Sequence, residues 1–179
     1  MFPLRKKILA ICGSTRRNSS NENILKGIAN AYRTDLEFEF YNDLTNLPYF
    51  NPDFVDDLAP QIVKEFYKAI ENADGIIFCT PEYVFSLPGV LKNALEWTIS
   101  TTLFHDKPTA IIVASGQGQK AFESIKIIMN TMSVKMPDDC AILISGARSK
   151  FTGEGTPNNE STKNDIEKMI HSFRLTMNA

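Results

Sequence analysis

The sequence predicts an α/β protein, a doubly wound parallel sheet between two layers of helices, and three observations carry that expectation. Apolar, β-branched runs recur at Lys7–Cys12, Leu36–Tyr41, Gly75–Thr80, Thr109–Ser115 and Cys140–Ser145, and helical patterns fill the intervals. Four of these runs are continuously apolar, as strands buried on both faces are. The exception, L-E-F-E-F-Y at 36–41, alternates with period two, which marks a strand with one wet face at a sheet edge.

The helical patterns span Asn21–Tyr32, Ala59–Asn72, Pro88–Ser100, Lys120–Val134 and Ser161–Met177. In the third, Val90, Leu91, Ala94, Leu95 and Thr98 share one face and Lys92, Asn93 and Glu96 the other, a 3.6-residue period. The last, opening at a Ser161-Thr162 cap region, aligns Ile166, Met169, Ile170, Phe173 and Met177. Strict alternation of strand and helix implies parallel strands joined by right-handed crossovers. Of the common doubly wound orders, the flavodoxin-like 2-1-3-4-5 takes five strands and puts the second at an edge, where the period-two run belongs. The expectation is therefore a flavodoxin-like three-layer sandwich, one domain over residues 1–179. Residues 42–60, with three prolines, read as a long loop before the second helix, and 152–159, T-G-E-G-T-P-N-N, as a loop after the last strand.

Bulk properties exclude several classes. The 19 basic and 21 acidic side chains leave a net charge of −2, too balanced for non-specific capture of nucleic acid. The N-terminal apolar run is shorter than the hydrophobic region of a secretion signal, and no stretch approaches the roughly 18–20 apolar residues of a membrane span. A cytoplasmic address follows. Cys12, Cys79 and Cys140 are widely spaced within or beside strand-like runs and read as buried small hydrophobes, supporting neither a disulfide framework nor a metal site. His105 and His171 are isolated, and Trp97 reads as core or interface.

In such sheets ligands lie beyond the carboxyl ends of the strands, near the point where strand order reverses. The loop after the first strand, C-G-S-T-R-R-N-S-S-N at 12–21, combines a glycine exit, the hydroxyls of Ser14, Thr15, Ser19 and Ser20, the Asn21 amide and one or two arginines at a helix start. Backbone N–H groups at such a start, with the helix dipole, favour an anion. It lacks the lysine and second glycine of a P-loop and the G-x-G-x-x-G of a dinucleotide turn, so a single phosphate monoester suits it best. The loop after the third strand, T-P-E-Y-V-F-S-L-P-G, is a proline-bounded aromatic turn that suits a flat heteroaromatic ring with polar edges. Glu82 reads as structural or edge-recognising, because no His, Cys or Ser nearby completes a nucleophilic constellation.

G-S-T-R-R-N-S-S-N at 13–21 and P-E-Y-V-F-S-L-P-G-V-L-K-N-A-L-E-W at 81–97 resemble the phosphate loop and signature of the NADPH-dependent FMN reductase family, which includes quinone, azo-dye and chromate reductases. Leu47-Pro48, Ala114-Ser115-Gly116 and Lys150-Phe151 extend the resemblance along the chain. It implies an FMN phosphate on Ser14, Arg16, Ser19, Ser20 and Asn21. The isoalloxazine ring would lie along Pro81, Glu82, Tyr83, Val84 and Phe85, with Ser115 and Gly116 closing the other side. It further implies a ping-pong NAD(P)H oxidoreductase with NADPH or NADH as donor, a small-molecule acceptor, no catalytic acid or base, no metal, and a homodimer or homotetramer. The family usually has Asn-Gly or a similar polar/small pair where this chain has Val84-Phe85, and often a glycine-richer loop than S-G-Q-G-Q-K after the fourth strand. Lys120 and Arg17 are further candidates for a cofactor phosphate. The alternative is a non-enzymatic flavodoxin-like electron carrier, which the weak negative charge supports little.

Overall fold

The computed structural model describes residues 5–179, so Met1–Leu4, at the head of the segment read above against a secretion signal, lie outside the described residues. Five parallel strands, β1 (Lys6–Cys12), β2 (Leu36–Tyr41), β3 (Gly75–Thr80), β4 (Thr109–Ser115) and β5 (Ala141–Ser145), form one sheet in the order β2-β1-β3-β4-β5. The helices are α1 (Ser20–Ala31), α2 (Gln61–Asn72), α3 (Gly89–Trp97), α4 (Gln119–Thr131), a four-residue α5 (Ala147–Lys150) and α6 (Glu160–Asn178).

Period-two geometry divides the strand side chains between two cores. Leu9, Ile11, Phe78, Ile111 and Val113 pack under α2, α3 and α4, while Ile8, Ala10, Ile77, Ile112 and Ala114 pack under α1 and α6. Sheet strands at the centre therefore have no polar face, which is why β3 is buried at every position. β2 lies at the edge, with Glu37 and Glu39 exposed. On α6 the predicted stripe holds, with Ile166, Met169, Ile170 and Phe173 buried against the sheet. Trp97 is core, 1% exposed, and its Nε1 donates to Pro48 O at 2.8 Å.

Helix ends differ from the sequence expectation for local reasons. Pro60 caps α2, so the helix opens at Gln61 instead of Ala59. α3 stops at Trp97, and the chain continues to Ile99 through tighter i→i−3 bonds, Thr98 N to Leu95 O at 3.2 Å and Ile99 N to Glu96 O at 3.1 Å. α4 runs Gln119–Thr131, short of Val134, because Ser133 adopts a left-handed φ of 56°. α6 is capped by Asn159, whose side chain accepts from Thr162 N at 3.0 Å, one turn's start earlier than the Ser161-Thr162 expectation. The long loop 42–60 is ordered by α3: Asn93 Oδ1 accepts from Phe50 N at 2.8 Å and Asn93 Nδ2 donates to Pro48 O at 2.9 Å. Three short 3₁₀ turns, at 44–46, 52–54 and 56–58, break it up.

Candidate functional site

The carboxyl ends of β1, β3, β4 and β5 open into a cleft of about 510 Å³. Its walls include Ser14, Arg16, Ser19, Ser20 and Asn21 from the first loop, Pro81, Glu82 and Tyr83 from the third, and Ala114, Ser115 and Gly116 from the fourth. Ten of the twelve residues singled out from sequence thus share one cavity; the other two, Val84 and Phe85, follow Tyr83 in the chain and are not part of its lining.

The first loop leaves β1 with Gly13 N donating to Cys79 O at 2.9 Å. What requires glycine there is space: a Cβ would stand 2.3 Å from Thr80 Oγ1 and 2.8 Å from Thr80 Cβ. Ser19 then caps α1, its hydroxyl accepting from Glu22 N at 3.1 Å. Ser20 and Asn21, in the first turn, have N–H groups without intrahelical partners, and these face the dipole's positive end. The Asn21 side chain is 3% exposed and occupied: Nδ2 donates to Ala114 O at 3.2 Å, and Oδ1 accepts from Cys79 Sγ at 3.3 Å. Its amide therefore ties α1 to β3 and β4, and its backbone is what it can offer a ligand. Ser14 is partly open; its hydroxyl accepts from Arg16 N at 3.3 Å and shares a hydrogen bond with Tyr83 OH at 3.4 Å. The Arg16 guanidinium has no partner among the described residues, and the same holds for Arg17, which borders a neighbouring cavity of about 220 Å³.

The third loop is fastened to the fourth. Glu82 N donates to Ser115 Oγ at 3.3 Å, and Glu82 Oε2 accepts from Ala121 N, in the first turn of α4, at 3.0 Å. Glu82 is thus a helix cap supplied from another strand, in keeping with the structural role expected of it. Beyond Tyr83 the chain turns back tightly: Tyr83 N donates to Ser86 O and Ser86 N to Tyr83 O, both at 3.0 Å. The two residues between have φ of 49° (Val84) and 58° (Phe85), the signature of a type I′ turn, which favours Asn-Gly. Their side chains are 94% and 72% exposed.

Sequence reading missed the fourth wall, Gly146, Ala147, Arg148 and Ser149 after β5. Gly146, at φ 65°, donates its N–H to Gly116 O at 3.0 Å and so brings this loop against the β4 loop. The available signal was compositional: S-G-A-R-S at 145–149 repeats the glycine, arginine and hydroxyl make-up of the first loop. Lys120, a candidate from sequence, is committed to Glu123 Oε2 at 2.8 Å, which holds its ammonium charged. His105 and His171 are exposed and remote from the cleft lining. Burial raises the thiols of Cys12, Cys79 and Cys140 above the ordinary range, so all three are poor nucleophiles.

The cleft suits a flavin mononucleotide in its donor set. Hydroxyls, unpartnered first-turn N–H groups and an unpaired guanidinium gather at one wall, and Pro81 and Tyr83 offer apolar surface at another. A family model described as NADPH-dependent FMN reductase matches residues 6–148. A 2-hydroxy-1,4-benzoquinone reductase from Burkholderia sp is 28% identical over 176 residues, covering 93% of this chain and 93% of its own. An NAD(P)H:quinone oxidoreductase from Solanum tuberosum is 29% identical over 176 residues, 92% of this chain and 89% of its own. Among solved structures, the flavoenzyme NAD(P)H:(acceptor) oxidoreductase FerB from Paracoccus denitrificans is alike in fold, with a TM-score of 0.78 at 24% identity over 97% of each chain. The chain belongs to the NADPH-dependent FMN reductase family.

Proposed function

We propose that this FMN-dependent NAD(P)H oxidoreductase holds the FMN phosphate on Ser14, Arg16, Ser19, Ser20 and Asn21, holds the ring against Pro81–Phe85 with Ser115 and Gly116, and reduces quinones. The observation that carries the reading is the convergence of the Ser14 and Ser20 hydroxyls, the first-turn N–H groups of α1 and the unpaired Arg16 on one cleft wall. FMN, when bound, accepts hydride from the nicotinamide and delivers electrons to the acceptor, chemistry that no side chain here supplies. The protein's part is positional. Ser19 and Asn21 fix the start of α1, Arg16 and the free hydroxyls neutralise and bond the phosphate, and Glu82 with Ser115 locks two loops in register. No residue need hold or move a proton in this scheme.

The acceptor is a small quinone, by similarity to the Burkholderia benzoquinone reductase and the Solanum tuberosum quinone oxidoreductase. The reading takes 1–179 as one FMN-binding domain with a cytoplasmic address; no helix among the described residues is long and apolar enough to cross a membrane. It also takes the chain as a homodimer or homotetramer, which light scattering would report. An apolar groove of about 290 Å³ between α3 and α4, with Leu95, Ile99, Ile127 and Met132 in its lining, supports self-association.

The test is Ser14→Ala combined with Arg16→Ala. Arg16 is exposed and Ser14 half-buried with its hydroxyl in two long bonds of 3.3 and 3.4 Å, so the fold should persist while FMN affinity falls by at least about tenfold, the worth of one charge-assisted phosphate bond. Fluorescence titration of the apoprotein with FMN measures it. Wild-type affinity in the double variant would put the phosphate elsewhere, and failure of bound flavin to bleach anaerobically with NADPH or NADH would sink the reductase reading.

A further inference from the structure

We propose that Val84 and Phe85 select the acceptor: their side chains form an apolar landing beside the flavin cleft that favours quinones carrying an alkyl or fused-ring substituent. This rests on the quinone-reductase reading above. Two observations carry it, and the first is the backbone. Among the described residues five positions other than glycine have a positive φ, and three of them are Asn18, Asp106 and Ser133, short polar residues whose side chains are able to bond the local backbone. The other two are Val84 at 49° and Phe85 at 58°, adjacent and apolar. Left-handed geometry is least tolerant of bulky and β-branched residues such as these.

The second observation is that the folded chain makes no use of the side chains it holds this way. Val84 and Phe85 are 94% and 72% exposed, and neither lines the cleft. The two bonds that close the turn, between Tyr83 and Ser86, are backbone bonds that Asn-Gly would make equally well. Ring contacts assigned above to this segment are open to its backbone N–H groups, which every residue of it except Pro81 supplies. Strain kept without a contact to hold it points to a role outside the folded monomer.

The turn is placed to serve the acceptor. Tyr83, which precedes it, lines the cleft and shares a hydrogen bond with Ser14 at 3.4 Å, while Leu87, which follows it, is buried in the core on the side of α2, α3 and α4. Both ends are anchored, so the tip is presented at a fixed position. It carries no charge, and the neighbouring acid, Glu82, is engaged with Ala121 N at 3.0 Å. An uncharged, apolar group is its match. A second copy of the chain is the competing occupant, but two side chains at a turn tip fall far short of the roughly 1,000 Å² of a stable interface. The apolar groove between α3 and α4 also shares no residue with the turn. The substituent of a quinone, reaching out of the cleft past Tyr83, meets this tip, and each methylene fully buried there tightens binding by about fourfold.

The test uses FMN-loaded enzyme and one quinone ring in two forms, a dimethoxy-methyl-benzoquinone with and without a decyl chain. Ring chemistry is the same in both, so the ratio of their kcat/KM values reads the contact made by the chain. The variant is Val84→Asn with Phe85→Gly, which keeps the turn; Phe85→Leu beside it keeps an apolar side chain. The ratio, decyl form over short form, should fall at least about fivefold in the double variant and less than about twofold in Phe85→Leu. Binding is also read without turnover. Oxidised enzyme does not react with a quinone, so titration followed by flavin absorbance gives a dissociation constant, and that of the decyl form should rise in the same proportion. A ratio within about twofold of wild type in the double variant overturns the proposal, and if light scattering then shows a smaller assembly, a second copy covers the turn. A fall that Phe85→Leu shares in full also overturns it, because shape and not apolarity would then be what the turn supplies. The binding titration needs no hydride donor, so failure of the reductase reading shows separately, as bound flavin that neither NADPH nor NADH bleaches.

Discussion

Replacing Val84-Phe85 by Asn-Gly should make the protein more stable, although it removes two large apolar side chains. The turn at 83–86 closes with two bonds of 3.0 Å, and its central residues sit at φ 49° and 58°. A left-handed backbone costs a non-glycine residue roughly 1–2 kcal/mol, because Cβ crowds the following carbonyl, and a β-branched residue fares worst. Two such residues in succession store about 2–4 kcal/mol. Against that, the side chains protect little: at 94% and 72% exposed, neither has enough buried surface to repay the strain. The new glycine returns about 0.5–1 kcal/mol as extra freedom of the unfolded chain. The net expectation is a gain of about 1–3 kcal/mol, which for a chain of this length is a rise in Tm of roughly 3–10 °C.

Thermal unfolding of the apoprotein, followed by circular dichroism, measures this without interference from bound flavin, which would add its own stabilisation. Urea unfolding should give a higher midpoint with an unchanged slope, since the surface exposed on unfolding barely alters. The single variants are not expected to add, because the two residues share one turn. A Tm equal to or below wild type in the double variant would refute the reasoning: it would mean that Val84 and Phe85 are held by contacts worth more than their strain.

Two other predictions concern the frame around the site. Gly155→Ala should cost several kcal/mol and lower Tm sharply, because at φ 80° a Cβ would stand 1.7 Å from Asn23 O and drive the 152–156 loop off α1; calorimetry of the variant checks it, and a change under about 1 kcal/mol would contradict it. Tyr41→Phe should be neutral or stabilising at pH 7, because the Tyr41 hydroxyl is buried with no hydrogen-bond partner among the described residues, and deleting an unsatisfied group removes a penalty of about 1 kcal/mol or more. Burial, with Asp43 and Glu65 nearby, pushes this phenol up to about 12. Between pH 10 and 12 the unfolded chain has lost the Tyr41 proton and the folded chain keeps it, so wild-type stability falls with pH over that window. The phenylalanine variant should fall less steeply, and parallel pH profiles would refute this.

The architecture was legible because burial on both faces leaves a plain mark. Ile76, Ile77, Phe78 and Cys79 have no polar neighbour to hide among, whereas Glu37 and Glu39 announce the edge of the sheet. Helix termini were less legible, since Asn159 and Ser161 are equally good caps on paper and only the approach of the chain chooses between them. The wall after β5 was illegible for a different reason. Gly146 meets Gly116 through a hydrogen bond between residues 30 positions apart in neighbouring loops, and no local pattern encodes that meeting. The type I′ turn was hidden outright, because Val-Phe is what turn chemistry argues against.

The site itself shows why polar residues near a ligand are over-counted from sequence. Ser19, Asn21, Glu82 and Ser115 all border the cleft, and each has its side chain bonded to protein: Ser19 to Glu22 N, Asn21 to Ala114 O, Glu82 to Ala121 N, Ser115 to Glu82 N. The first caps α1, and the other three tie α1 to β4 and the β3 loop to α4 and the end of β4, fixing the spacing of those loops. Loops that must present backbone N–H groups to a cofactor have few apolar contacts to steady them, so side-chain bonds must do it. The groups left over, the Ser20 hydroxyl with the guanidinium groups of Arg16 and Arg148, are the ones free to answer an anion, and the Ser14 hydroxyl is shared with Arg16 N and Tyr83 OH. Composition makes the two sets look alike. What separates them is whether a second strand end already claims the side chain, and that is a property of the fold.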